Sequence, residues 1–343
     1  MAKSQNMAPH TAAFFPKLYL KNQMCTDTVW PSKDTNLSGK VAVITGSNQG
    51  LGFEAAKQLL ALGLSRLILA VRSLAKGEEA ARKLRSEYPK AVLDVYIVDM
   101  SSYDSIQAFA TKVHQLDRID IVILNAGIMP SVFKLVEGTR HEETFQVNYL
   151  STVFLCVLLL PTLKAKAVGG PGRMTIVCSG LAYAAQFSSR KATPVLPTLD
   201  LEKNFGSDTY NTSKLLLMMF LLKMHEYVSA DDVVVNLVDP GYVKGTNLQT
   251  NSSLAVRLAT KLVDFTGRTL DVGASTYVDA AVTQGKDSHG SYVMGWKINP
   301  FASMMYTPEG KETTEKVWNE TLKELSFANP LEILQSLKTE QKI

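Results

Sequence analysis

Of the twelve tyrosines in this 343-residue chain, only Tyr210 has a lysine four residues on, in Tyr210-Asn-Thr-Ser-Lys214. On a helix that spacing places a phenol and an ammonium on one face. A free phenol, with a pKa of ~10, exchanges protons reluctantly near neutral pH, and a neighbouring cation favours its ionised form. The pair is suited to moving a proton. A second cluster of telling residues lies near the other end, in Thr45-Gly46-Ser-Asn-Gln-Gly50-Leu-Gly52. Glycines in such a turn let the backbone bend tightly and approach a pyrophosphate at a helix N-terminus, whose free N–H groups attract anions. The segment Gly50-Leu51-Gly52-Phe53-Glu54-Ala55 fits G-x-G-x-x-A, but it starts four residues after Gly46, so the three-residue gap from Gly46 to Gly50 is the more informative spacing.

These residues need elements to hold them. The turn follows the apolar run VAVIT (41–45) and precedes LGFEAAKQLLALG, a helical pattern ending at Gly63. Further strand-like runs occupy 66–71, 92–98, 119–124, 173–178 and 233–238, with helical patterns over 75–88 and 103–116. Strands alternating with helices imply right-handed βαβ units, and near-continuous apolar strands suit a parallel sheet covered on both faces. The expectation is an α/β fold: a doubly wound, Rossmann-like parallel sheet. It would form one domain over 39–325, after an irregular arm (1–38) and before a tail (326–343). At the end of the second strand, where an acid would bind ribose hydroxyls, stands Val71-Arg72-Ser73. A guanidinium there pairs with a 2′-phosphate that an acid would repel, which predicts NADP(H) over NADH.

In order along residues 40–250, Thr45-Gly-x-x-x-Gly-x-Gly52, Asp99, Asn125-Ala-Gly127, Asn148, Ser179, Tyr210-x-x-x-Lys214 and Pro240-Gly241 together resemble the short-chain dehydrogenase/reductase family. The glycine spacing resembles the non-extended branch. Phe145-Gln-Val-Asn148-Tyr and Arg72-Ser73-Leu-x-Lys-Gly are similar to the retinol-dehydrogenase-like group and to reductases of fungal natural-product pathways. The resemblance implies a catalytic tetrad of Asn148, Ser179, Tyr210 and Lys214. Tyr210 would exchange a proton with the substrate oxygen, and Lys214 would lower its pKa and hold the nicotinamide ribose. Ser179 would stabilise charge on that oxygen, and Asn148 would position a water linking Lys214 to solvent. It further implies cofactor contacts from Gly46, Asn48, Gly50, Leu51, Gly52, Arg72, Asp99, Asn125, Gly127, Pro240, Gly241, Val243 and Thr246. Thr246 stands one step further along than the pattern, after Lys244-Gly245.

Composition bounds the remainder. Hydrophobic residues make up 46% and charged ones 20%, with 36 basic and 32 acidic residues interspersed, so neither disorder nor a nucleic-acid-binding stripe is expected. The cysteines, Cys25, Cys156 and Cys178, suggest neither disulfides nor zinc, and Cys178 reads as a buried strand residue. The longest apolar runs, 153–161 and 215–222, fall short of the ~20 residues that span a bilayer, which predicts a cytoplasmic protein without membrane insertion. His114, His141, His225 and His289 lack partners at metal spacing and read as ordinary residues; no metal is expected. The polar, proline-bearing stretch 184–208 reads as a loop shaping the substrate pocket. It could also cover the helices by which relatives dimerise, leaving monomer or homodimer open. Met294, Trp296, Phe301, Met304, Met305 and Tyr306 fit either a pocket cap or ordinary packing. The expected activity is NADPH-dependent reduction of a carbonyl on a lipophilic small molecule, which the resemblance implies is of polyketide type, or oxidation of the matching alcohol. The rivals are an oxidative retinoid or steroid dehydrogenase and a non-catalytic NADP(H) sensor.

Overall fold

The computed structural model describes residues 3–246 and 264–338. The first two residues of the expected arm and the last five of the expected tail lie outside the described residues. Short, β-branched apolar runs form six parallel strands: β1 (Val41–Thr45), β2 (Arg66–Val71), β3 (Val92–Ile97), β4 (Ile121–Leu124), β5 (Gly172–Val177) and β6 (Val233–Asp239). Two further strands, β7 (Ser291–Met294) and β8 (Lys297–Asn299), complete a sheet of order β3-β2-β1-β4-β5-β6-β7-β8. Among the described strands of this sheet, only the β7–β8 pair is antiparallel. Its two-residue turn, Gly295-Trp296, has positive φ at both positions, as a primed hairpin turn requires. Tryptophan seldom adopts that conformation, and here its ring is held under the Arg268 guanidinium, 4.6 Å away.

Among the described residues, nine helices of six or more residues are numbered in chain order: α1 (Tyr19–Met24), α2 (Gly50–Ala61), α3 (Leu74–Glu87), α4 (Tyr103–His114), α5 (Ser151–Lys166), α6 (Ser207–Met224), α7 (Leu270–Val278), α8 (Pro308–Glu324) and α9 (Pro330–Leu337). Helices α2, α3 and α7 cover one face of the sheet, and α4, α5, α6, α8 and α9 the other, each with its own apolar core. This is a doubly wound α/β fold. Helix α5, and α6 over 215–222, are apolar all round because both are buried between the sheet and the C-terminal helices. Joined to the preceding turns, the first becomes one helical stretch, Glu143–Lys166, long and apolar enough to cross a bilayer. Within its most apolar window 89% of the residues are buried inside the protein, which makes it a core helix.

Both ends of the described residues are docked. Ser4 is buried: its hydroxyl donates to the Asn299 carbonyl (2.5 Å) and accepts from the Tyr292 N–H (2.8 Å). Helix α9 buries Leu334 and Leu337, and Lys164 Nζ donates to the Leu337 carbonyl.

The 184–208 stretch forms three short 3₁₀ turns before α6 begins at Ser207. It buries Phe187, Val195 and Leu196. Glu320 of α8 accepts from the N–H groups of Val195 and Leu196, and Arg190 pairs with Glu309. His141 closes the clamp, with Nδ1 2.9 Å from Asp200 and Nε2 3.0 Å from Glu324. The reading of His141 as an ordinary residue is thus corrected, since carboxylates 59 and 183 positions away converge on it. Burial alone would depress the imidazole pKa, but the two carboxylates outweigh it and raise the value to about 9.

A group whose folded pKa exceeds its unfolded one contributes stability below the unfolded value and loses it as pH rises through the folded value. His141→Gln should therefore lower stability by on the order of 2 kcal/mol at pH 6, allowing for solvent around the 38%-exposed Glu324 side chain. The gap should close between pH 6.5 and about 9 in melting curves of the two proteins. A gap that is constant across that window would assign His141 to packing alone.

Candidate active site

Strand order reverses between β1 and β4, so the connections leaving their carboxyl ends diverge and open a crevice. A cavity of about 480 Å³ lies there. At one end, the Asn125 side chain donates to the carbonyls of Thr45 (2.8 Å) and Gly46 (3.2 Å), while the Thr45 hydroxyl accepts from the N–H groups of Asn125 and Ala126. These bonds tie the end of β1 to the end of β4. The turn's glycines divide the work. A Cβ on Gly52 would lie 2.6 Å from both the Asn125 amide and the Gly46 carbonyl, so only glycine lets α2 begin there. Gly50 has φ +58 and nothing within 4 Å of a would-be Cβ. Its open side faces the cavity. The N-terminus of α2 has no side-chain cap and no acid in its first turn. Its backbone donors are free to meet an anionic group, so the turn fits a dinucleotide pyrophosphate.

At the other end, Ser179 follows β5, and Tyr210 and Lys214 come from one face of α6. All three side chains line the cavity. The Ser179 hydroxyl accepts from the Leu181 N–H (3.2 Å) and stands near enough to the Tyr210 phenol to favour its ionised form. Lys214 Nζ donates to the Val177 carbonyl (2.9 Å) and lies 5.7 Å from the Tyr210 ring centre. Asn148 sits in a wider, π-type turn (Gln146–Leu150), a distortion that often marks functional positions. Its amide bonds both the N–H and the carbonyl of Ile128 and donates to Ser213. Gly127 lies between: a Cβ there would be 3.3 Å from Asn148 Oδ1 and 3.7 Å from Lys214 Nζ.

Burial drives the Tyr210 phenol well above its ordinary pKa, and the nearby Ser179 hydroxyl offsets only part. Lys214, with Nζ 5.7 Å from the centre of the Tyr210 ring, leaves this burial the larger influence. The same burial lowers Lys214 from 10.5 to about 8. Cys178 is buried as expected, though one residue past the end of β5 and not within it, and its thiol is pushed up to about 12.

Among the expected residues, Gly46, Gly50, Leu51, Gly52, Asn125, Gly127, Pro240, Gly241, Val243 and Thr246 also line the cavity. Asn148 stands behind the lining. Gln49 lines it in place of Asn48. Arg72 is exposed just past β2, with no hydrogen bond or ion pair among the described residues. Asp99, past β3, accepts from the N–H (2.9 Å) and hydroxyl (2.7 Å) of Ser101. The 184–208 stretch contributes nothing to the lining, which corrects the expectation that it shapes the pocket; its buried residues are spent on α8. Met294, Trp296, Phe301 and Met305 are packing residues, all buried and outside the lining.

Sequence reasoning missed the arm. Phe14, Phe15, Tyr19, Asn22 and Gln23 all border the cavity. Asn22 Nδ2 donates to Asp239 (2.9 Å), whose other oxygen accepts from the Gly180 N–H (2.9 Å). Gln23 spans the Tyr242 N–H and carbonyl, and Arg268 donates to the carbonyls of Asn22 and Pro240. The available signals were an acid ending an apolar strand in Val-Asp239-Pro and the ring-rich Phe14-Phe15 beside Tyr19.

A family model described as short chain dehydrogenase matches residues 40–189. The chain is 52% identical over 342 residues to the short chain dehydrogenase/reductase mfmJ of Annulohypoxylon moriforme, covering 98% of this chain and 99% of that one. It is 46% identical to the short chain dehydrogenase virL of Hypocrea virens over 88% and 89% of the two chains. Solved structures sharing the fold include an L-sorbose reductase from Gluconobacter frateurii complexed with NADPH and L-sorbose (TM-score 0.56, 24% identity, 76% of this chain and 97% of that one). Another is an NADPH-dependent 3-quinuclidinone reductase from Rhodotorula rubra (TM-score 0.56, 21% identity, 76% and 93%). With the proton-transfer pair, the glycine turn and this likeness in agreement along nearly its whole length, the chain belongs to the short-chain dehydrogenase/reductase family of oxidoreductases.

Proposed function

We propose that this oxidoreductase uses NADPH to reduce a ketone on a lipophilic small molecule of polyketide type, in the cytoplasm. The observation that carries the reading is the meeting of Ser179, Tyr210 and Lys214 at the end of a cavity whose other end is a glycine turn open to an anion. The exposed, unengaged Arg72 supports the 2′-phosphate, and the apolar and aromatic lining supports the lipophilic substrate. Bound NADPH supplies the hydride. The protein does the rest. Tyr210, held neutral by burial, is in the form that gives a proton to the carbonyl oxygen as negative charge builds there. The Ser179 hydroxyl hydrogen-bonds the same oxygen and stabilises that charge. Protonated Lys214 stabilises the phenolate left behind, and Asn148 holds a water through which the lost proton is replaced from solvent. The same residues serve alcohol oxidation in reverse.

Tyr210→Phe should retain NADPH binding and lose turnover by roughly 10²–10⁴-fold, the usual range for a general acid. Unchanged turnover would refute the mechanism, and NADPH binding without turnover in the unmodified protein would favour a sensor. Arg72→Asp should weaken NADPH by on the order of 100-fold and NADH by less than threefold in fluorescence titrations. Equal effects would remove Arg72 from the 2′-phosphate. Because burial brings Lys214 to about 8, reductive kcat/KM with NADPH varied should fall as pH rises past that value, when the ammonium becomes neutral. A profile flat to pH ~9.5 would show that the charge on Lys214 is not needed.

A further inference from the structure

The substrate end of the cavity is walled by the N-terminal arm. From this we propose that the arm's aromatic cluster, Phe14, Phe15 and Tyr19, makes the enzyme selective for aryl or fused-ring aromatic ketones, with Phe15 as the specificity-determining residue. The inference rests on the reductase reading above and narrows its substrate class.

The three rings form one unit. Phe14 meets Phe15 edge-on at 4.6 Å and Tyr19 at 6.1 Å, and Phe15 lies tilted on Tyr19 at 5.2 Å. The unit abuts the reacting end directly. A Cβ on Gly180, the residue after Ser179, would come within 2.9 Å of two Phe14 ring carbons. Both flanks are fixed: Ser4 bonds to β7 and β8 on one side, and Asn22 bonds Asp239 on the other. Rings held this way are preorganised, so a ligand stacking on them spends little entropy ordering the wall.

The polar groups of the arm offer the substrate little. The Asn22 amide donates to Asp239 and accepts from Arg268, and the Gln23 amide is consumed by the Tyr242 backbone and the Thr266 carbonyl. The Tyr19 hydroxyl is engaged with Thr266. What remains facing the cavity is ring surface. Phe14 is buried, but Phe15 is 52% exposed although it lines the cavity, so its open face has no occupant among the described residues. A flat aromatic ligand would complete that stack. A small aliphatic ketone would gain area there but not the offset or edge-to-face pairing that aromatic rings prefer.

The test reads binding and turnover separately. Calorimetry of the full chain with saturating NADP⁺ would compare 2-naphthol with cyclohexanol, and NADPH oxidation would compare 2-tetralone with cyclohexanone. Phe15→Leu keeps apolar bulk and removes the ring, and a melting curve checks that the fold survives. We expect 2-naphthol to bind at least tenfold tighter than cyclohexanol. Phe15→Leu should weaken it about three- to tenfold, as a lost ring pair predicts, with less than a twofold change for cyclohexanol. The 2-tetralone KM should rise in parallel. Equal affinities for the two alcohols, or equal losses in Phe15→Leu, would overturn the aromatic wall even if both ketones are reduced. Ring-dependent binding of 2-naphthol with neither ketone reduced would leave the wall standing and count against the reductase reading.

Discussion

A buried ammonium organises this molecule. Lys214 is 4% exposed on a helix whose neighbours are almost all apolar, and its shift from 10.5 to about 8 corresponds to a cost of about 3 kcal/mol for keeping it charged. Such a group persists only where the surroundings give it partners. The Val177 carbonyl accepts from it at 2.9 Å, and glycine at 127 lets the Asn148 amide approach the same pocket. Helix α6 therefore has to lie along the end of β5 with its Tyr210–Lys214 face toward the crevice. The apolar remainder of the helix, locked between the sheet and α8, supplies the packing that offsets the cost. The wider turn around Asn148 serves the same end, since it brings a polar side chain to the pocket from a helix that is otherwise core.

A second set of long-range bonds closes the far side. Asp239 leaves the end of β6 nearly buried, and its carboxylate is satisfied by Asn22 from the arm and by the Gly180 N–H beside Ser179. Arg268, 6% exposed, donates to the carbonyls of Pro240 and Asn22 and covers the strained Trp296 turn. Each partner answers a polar group that would otherwise be stranded out of water, and loss of one would leave the others unpaired. The arm is thus part of the site. It is seated by the same carboxylate that steadies the backbone next to the reacting serine.

Much of this was legible in the residues. VAVIT, RLILAV and VVVNLV read as buried parallel strands because apolar β-branched runs of that length have few other solutions, and they fold over 41–45, 66–71 and 233–239. Tyr210 and Lys214 share a face because four residues is about one helical turn, a local fact independent of anything else in the chain. The seating of the arm on Asp239 and the clamp on His141 were not legible. Their partners lie up to 217 positions away, and no short-range pattern encodes them.

The sequence by itself determined the alternating strands and helices, the glycine turn, the proton-transfer pair and the arginine after the second strand. All of these follow from dihedral preferences and spacings within a few residues. Only the tertiary structure decided the direction in which Tyr210 titrates, which glycine packs and which lies open, that the 184–208 stretch braces α8 instead of the pocket, and that the arm walls the cavity. The physical reason is common to all four. Desolvation and pairing depend on what the folded chain brings from a distance, and neither has a magnitude until the neighbours are in place.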